Sequence, residues 1–380
     1  MAEGMKLKVA DLFCGTGGFS KGFEQSGKFD VVLGVDLREA STRTFAANHP
    51  KALTICSDIR NVKVHNVADR IGLSPGQIDV IVAGPPCQGF SSIRPHRSIN
   101  EDDSRNNLFE QLVVFVGFFK PRFVVFENVV GLLTHKKGSI FRTIVNAFEA
   151  EGYSVEFGVL NAVHFGVPQR RERVILVGRR GTVRPHLPVP THRFIGRSMA
   201  KQHFVLPTPP LFSSDLRDAV TVEEAICDLP PISSGGANDF YLEEDGSEYT
   251  KARRKSAKRL TMHSSTAHTS RMLEIIKCSG ANRWALPEGM TSSGFSSSYS
   301  RLAAQEPSIT ITVNFVHPAS NRCIHPSQDR ALTPREGARI QGFDDDFTFQ
   351  GTRTEIVKQI GEAVPPLLGK AIADAVLRQL

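Results

Sequence analysis

Apolar residues along this chain fall first into short runs, each closed by a glycine, a proline or an acid. Lys6 to Phe13, Asp30 to Val35, Ala52 to Cys56, Ile78 to Val82 and Arg122 to Phe126 read as strands of a buried sheet. Between them, Phe19 to Gln25 opens a helix behind a glycine turn, and Leu108 to Phe119 is apolar nearly all round, which predicts a buried helix. Ser139 to Glu151 predicts another helix. Ser154 to Leu160 and Arg173 to Gly178 then read as two more strands, joined by a segment too short for a crossover helix, so they are expected to pair antiparallel. Seven strands alternating with helices define an α/β fold with a doubly wound, mostly parallel sheet.

Past residue 185 the pattern breaks. Pro188, Pro190, Pro207, Pro209, Pro210, Pro230 and Pro231 interrupt it, and Ser/Gly clusters fill 233–237 and 291–300. A smaller, loop-rich domain over 186–345 is expected, with Ile309 to Phe315 as its clearest strand. Trp284, Phe295, Tyr299 and Arg301 are read either as base-contacting side chains or as packing of a small core. Regular structure returns at Thr333-Pro334-Arg335-Glu336, an N-cap, first-turn proline and third-position glutamate that start a helix closed by Gly342. A short helix, Thr354 to Ile360, and an amphipathic one, Leu367 to Leu380, end the chain; 346–380 is expected to return to the first domain, 1–185.

Composition narrows the classes. The 380 residues are 40% hydrophobic and 22% charged, which fits a soluble globular protein. No apolar run approaches the ~18 residues of a membrane span, and the N-terminus has no signal-like apolar stretch. Six scattered cysteines without a C-x-x-C pair argue against a disulfide framework or structural zinc, and for a reducing compartment. The net charge of +7 is mildly basic. Clusters at 251–259 and 170–184 make a phosphate backbone a natural partner, although a single such run is usually a solvated face.

Candidate chemistry sits at the strand ends. Gly15, Thr16, Gly17 and Gly18 let backbone approach a ligand after Phe13. Asp36 ends the second strand eighteen residues beyond Gly18, where a carboxylate meets ribose hydroxyls in dinucleotide folds. The turn lacks the strict dinucleotide fingerprint, so an adenosine ligand without a pyrophosphate is favoured over NAD, and an NAD-dependent oxidoreductase is set aside. Asp58, with Ile59, follows the third strand and suits an adenine amino group or a simple turn cap. The fourth strand leads into Pro85-Pro86-Cys87-Gln88, a rigid turn that holds a thiol in the crevice. The polar stretch 92–107 reads as a loop beside the site. Glu127 and Asn128 end the fifth strand at the same crevice, and Arg171 and Arg173 provide cations that hydrogen-bond an oxygen or lower a thiol pKa.

In this order, Asp11 to Ser20, Pro85 to Gln88, Glu127-Asn128-Val129, Gln169 to Arg173, Leu332 to Gly342 and Gln359 to Pro366 resemble the DNA (cytosine-5) methyltransferase family of bacterial restriction–modification systems. The resemblance implies a Rossmann-like methyltransferase sheet, with roughly 190–300 as the target-recognition region. It implies S-adenosylmethionine as methyl donor, leaving S-adenosylhomocysteine, and places it against Phe13, Gly15 to Gly18, Asp36, Leu37, Asp58, Ile59, Pro85, Leu108, Glu362, Ala363 and Val364. Cys87, Glu127, Arg171 and Arg173 become catalytic, with Arg173 the residue for cytosine O2, and Pro86, Gln88, Ser91 and Asn128 line the substrate. Glu362 departs from the pattern, since many members carry Asn there. Double-stranded DNA is the implied partner of a bacterial cytoplasmic enzyme, with no membrane and with a restriction endonuclease acting on the same site without a stable complex; the chain shows no heptad or long apolar stripe, so a monomer is expected. Two alternatives remain: an RNA (tRNA) cytosine-5 methyltransferase, for which a shorter insert is expected, and a non-catalytic nucleic-acid-binding module.

Overall fold

The computed structural model describes residues 6–86, 108–196, 198, 215–242, 246–255, 257–291 and 295–380. Cys87, Gln88, Ser91 and the polar stretch 92–107 lie outside the described residues.

Seven strands form one sheet: β1 (Leu7–Leu12), β2 (Phe29–Asp36), β3 (Leu53–Cys56), β4 (Val80–Ala83), β5 (Phe123–Val129), β6 (Tyr153–Asn161) and β7 (Glu172–Arg180). Their order is β3-β2-β1-β4-β5-β7-β6. The first five pair parallel; β7 runs antiparallel to both β5 and β6. The antiparallel pairing read from the short 161–172 connection is therefore present, and β7 inserts between its neighbours rather than adding at the edge. Residues of β4 are fully buried, as expected of a parallel strand covered on both faces.

Helices α1 (Gly18–Gln25), α2 (Glu39–Asn48), α3 (Val64–Ile71), α4 (Leu108–Phe119) and α5 (Ser139–Ala150) follow the strands. Val114 on α4 is 52% exposed, so the all-round apolar pattern overstated its burial; one side packs and the other does not. Three apolar cores result. One lies on the α3–α4–α5 face of the sheet and a second on the α1 face. The second is completed by the last helix, for which Gly22 and Gly369 allow close approach. A Cβ at Gly22 would sit 2.3 Å from the Pro366 carbonyl oxygen, and one at Gly369 2.6 Å from that of Phe19.

The third core gathers Val222, Leu229, Tyr241, Leu260, Phe315, Leu332, Phe343 and Val357. It is built from short helices the sequence pattern did not separate from loop, α6 (Val222–Ile226), α7 (Glu248–Arg254) and α8 (Ser270–Lys277), together with α9 (Pro334–Ile340) and α10 (Arg353–Glu362). The capping box at Thr333 and Glu336 is present, and Gly342 takes φ +87° just past the helix. The strand expected over Ile309 to Phe315 is not formed. Only Ser308–Ile309 pairs, in parallel with Gln169–Arg170, and 313–316 is a turn. Ile311 and Phe315 are buried in the third core without strand partners, so burial alone accounts for the alternation. Helix α10 also runs past Ile360 through Gly361 and Glu362, before α11 (Pro366–Leu377).

Candidate active site

The parallel register of β4 on β5 sets Ala83 opposite Phe126, so the turn leaving β4 stands beside Glu127. A Cβ at Gly84 would lie 3.2 Å from Glu127 Oε2, so this carboxylate oxygen faces the turn that carries Pro85 and Pro86. Pro85 is buried and Pro86 exposed. Asn128 Nδ2 donates to the Pro85 carbonyl oxygen at 3.1 Å, which ties the turn to β5.

On β7, Ile175 lies opposite Glu127, which makes Arg173 a diagonal neighbour on the same face, within reach of a long side chain. Arg173 Nε lies 2.9 Å from Glu127 Oε1, and Nη1 donates to the Glu172 carbonyl oxygen at 2.7 Å. Burial raises the Glu127 carboxyl pKa above its ordinary value, outweighing the pull of Arg173 and Arg171. Burial likewise lowers the pKa of Arg173, against the opposing effect of Glu127. One oxygen is thus anchored and the other turned toward the Gly84–Pro86 turn, on a carboxyl whose pKa burial raises.

Arg171 stands elsewhere. It lies between the Gln169–Arg170 piece and β7, is 2% exposed, and donates to backbone. Its Nη2 reaches the carbonyl oxygens of Gly361 at 3.0 Å and Glu362 at 3.4 Å, and its Nη1 that of Ile311 at 3.4 Å. Gln169 Oε1 accepts from the Ile311 N–H at 3.1 Å, and Gln341 Nε2 donates to the Ala363 carbonyl oxygen at 2.6 Å. These contacts brace the 361–363 segment against the sheet.

That segment closes one side of the glycine turn. A Cβ at Gly18 would sit 2.6 Å from the Val364 carbonyl oxygen. Phe13, Gly15 and Gly17 have φ of +62°, +51° and +84°, so the turn is built from left-handed backbone, costly only at Phe13. Asp36 holds it: Oδ2 accepts from the Gly15 N–H and Oδ1 from the Arg38 N–H, both at 2.9 Å. Asp11, buried beneath, has its carboxyl pushed up to about 7 by burial. Leu37 is 67% exposed beside the turn, an apolar surface available to a ring face. Asp58 is turned to Arg60, accepting from its Nη2 at 2.6 Å and its backbone N–H at 3.0 Å, which is the turn-capping arrangement. Ile59 and Leu108 are buried in the core on the α3–α4–α5 face. Arg38, which sequence reasoning passed over, ion-pairs with Glu362 across the rim of this cleft.

The glycine turn leaves a polar group and room for a ligand. Thr16 Oγ1 is buried without a hydrogen-bond partner among the described residues, and nothing lies within 4 Å of a Cβ built on Gly15. Farther out, Trp284 is 77% exposed and Phe295 51%. Trp284 lines a cavity of about 410 Å³ with Arg170, Asn282 and Arg322. Arg301 instead spends its guanidinium on the carbonyl oxygens of His325, Gln328 and Ile276, and Tyr299 is held through its backbone N–H to Pro318. Of the four candidate base contacts, the Arg301 side chain serves the local fold.

A mostly parallel seven-stranded sheet covered by helices is the α/β Rossmann-like methyltransferase fold. The model of C-5 cytosine-specific DNA methylases matches residues 7–378, and the chain belongs to that family; it is a DNA (cytosine-5)-methyltransferase. It is 34% identical to Type II methyltransferase M1.HphI of Haemophilus parahaemolyticus, over 98% of this chain and 87% of that one. It is 31% identical to Type II methyltransferase M.AgeI of Thalassovita gelatinovora, over 97% and 99%. Among solved structures, a candidate DNA modification methyltransferase encoded within an E. coli prophage superposes with a TM-score of 0.75 at 25% identity, covering 98% of this chain and 99% of that one. Spodoptera frugiperda DNMT2, at 14% identity and a TM-score of 0.62, shares the fold.

Proposed function

We propose that this enzyme methylates C5 of a cytosine flipped out of duplex DNA, with S-adenosylmethionine as donor, and that it belongs to a bacterial restriction–modification system. The observation that carries the reading is the Glu127–Arg173 pair beside the Gly84–Pro86 turn, one residue before Cys87. A stacked base exposes neither C6 nor a path to C5, so the target must leave the helix.

C5 of cytosine is a weak nucleophile. Addition of the Cys87 thiolate to C6 breaks the C5–C6 double bond and places the electron pair on an enamine that reacts at C5. Glu127, its carboxyl pKa raised by burial, donates to N3 as density arrives there and keeps the exocyclic amine in register. Arg173 hydrogen-bonds O2 while orienting Glu127. After methyl transfer, loss of the C5 proton and expulsion of the thiolate restore the ring and free the sulfur. Pro86, Gln88, Ser91 and Asn128 would line the base. Arg171 acts by fixing the 361–363 backbone, a positioning role.

The donor supplies an electrophilic methyl group. Phe13 and Leu37 would take the adenine faces, Asp58, Ile59, Pro85 and Leu108 its edge and surroundings. Asp36 would meet the ribose, and Gly15 to Gly18 with Glu362 to Val364 the amino-acid end. In this reading 1–185 performs the chemistry, 186–345 reads the DNA and 346–380 returns to the sheet. The enzyme acts as a cytoplasmic monomer beside an endonuclease of the same specificity. No helix among the described residues is long and apolar enough to cross a membrane. The test is transfer of tritium from labelled donor to duplex DNA or tRNA. Label in 5-methylcytosine of DNA, lost in Cys87→Ala, is expected. Label in tRNA alone, or turnover by Cys87→Ala, overturns the reading.

A further inference from the structure

Glu362 poses a charge problem. The donor's amino-acid end carries an ammonium and a carboxylate, and a lone glutamate beside it attracts one and repels the other. The structure sets a cation against it. Arg38 Nη1 pairs with Glu362 Oε2, joining the end of β2 to the end of α10 across the cleft rim. The backbones at both ends are fixed: Arg38 N–H donates to Asp36 Oδ1 at 2.9 Å, and Arg171 and Gln341 hold the carbonyl oxygens of Gly361, Glu362 and Ala363. The two side chains remain 42% and 35% exposed, so their mutual pair is weak and readily exchanged.

We propose that Arg38 and Glu362 form a clasp for the zwitterionic end of the donor, each charge leaving the other to meet its opposite on the ligand. The proposal rests on the donor reading above. Arg38 meets the carboxylate and Glu362 the ammonium; the internal ion pair is replaced by two charge-assisted ones. Arg38 is then a specificity-determining residue that balances the Glu362 carboxylate beside the donor.

Isothermal titration of the full chain with S-adenosylhomocysteine and with 5′-methylthioadenosine tests this, since the second ligand keeps the nucleoside thioether and lacks the amino-acid end. Arg38→Ala should weaken S-adenosylhomocysteine about tenfold and leave methylthioadenosine unchanged. Adding Glu362→Asn to Arg38→Ala should weaken S-adenosylhomocysteine further, because the ammonium then loses its charged partner as well. Glu362→Gln provides an independent variant and should weaken S-adenosylhomocysteine selectively. Equal losses for both ligands, or no loss for either, would overturn the clasp while leaving the donor reading intact. A wild-type protein that binds neither ligand would overturn the donor reading and the clasp with it.

Discussion

Two buried glutamates of this chain each face an arginine, and their surroundings push them in opposite directions. Glu336 on α9 is held bidentately by Arg330, at 2.8 and 2.6 Å, and accepts the Thr333 N–H at 2.7 Å. Its pKa is lowered to about 2: burial alone would raise it, and Arg330 with His325 and His263 overcomes that. Glu127 has one anchored oxygen and a raised carboxyl, because its single arginine contact does not offset burial. A carboxylate with both oxygens engaged is a fastener; one whose second oxygen faces a turn, with its pKa raised by burial, is suited to proton transfer. The region around Glu336 extends the first pattern. Arg335 and Arg339 share Asp345, and Arg339 also binds Asp228, all inside the third core.

The comparison is sharpest where rate and stability separate. Glu127→Gln keeps an acceptor for Arg173 but cannot supply the proton; methyl transfer should fall by about 10²–10⁴, with the urea midpoint unchanged. Glu336→Gln should do the reverse. Breaking a buried pair from one side costs about 3–5 kcal/mol, so the midpoint should drop with donor binding retained wherever the protein stays folded. Acid should show the same split. Glu336 is depressed on folding, so between about 2 and its ordinary 4.5 the unfolded chain binds more protons. Stability contributed by this group is therefore complete above 4.5 and lost as pH falls toward 2, and Glu336→Gln should flatten that slope. At the small end, Arg193 pairs with Asp218 at the surface, and Arg193→Ala should leave the unfolding curve where it is.

Much of the sheet was legible because parallel strands covered on both faces read as continuous apolar runs, as β4 and β5 do. Helix α2, Glu-Ala-Ser-Thr-Arg-Thr-Phe-Ala-Ala-Asn, was missed because its apolar stripe is thin. The strand expected over Ile309 to Phe315 failed because a loop can bury Ile311 and Phe315 as well as a strand can. Glu127 was placed by its position at a strand end. The residue types alone could not separate Arg171 from Arg173, since both are arginines that can hydrogen-bond an oxygen; only the resemblance pointed to Arg173 for O2. The break at 171 between two strand pieces is what sends them apart. Arg38 carried no local signal, because its partner lies at the far end of the chain.

The central claim is that burial raises the Glu127 carboxyl above its ordinary pKa while Arg330 locks Glu336 as an anion. Carboxyl-carbon NMR of protein labelled at glutamate Cδ tests it directly, with Glu127→Gln and Glu336→Gln assigning the two resonances. The account predicts that one titrates above the ordinary glutamate range and the other near pH 2. Finding both depressed, or Glu127 below Glu336, would contradict it.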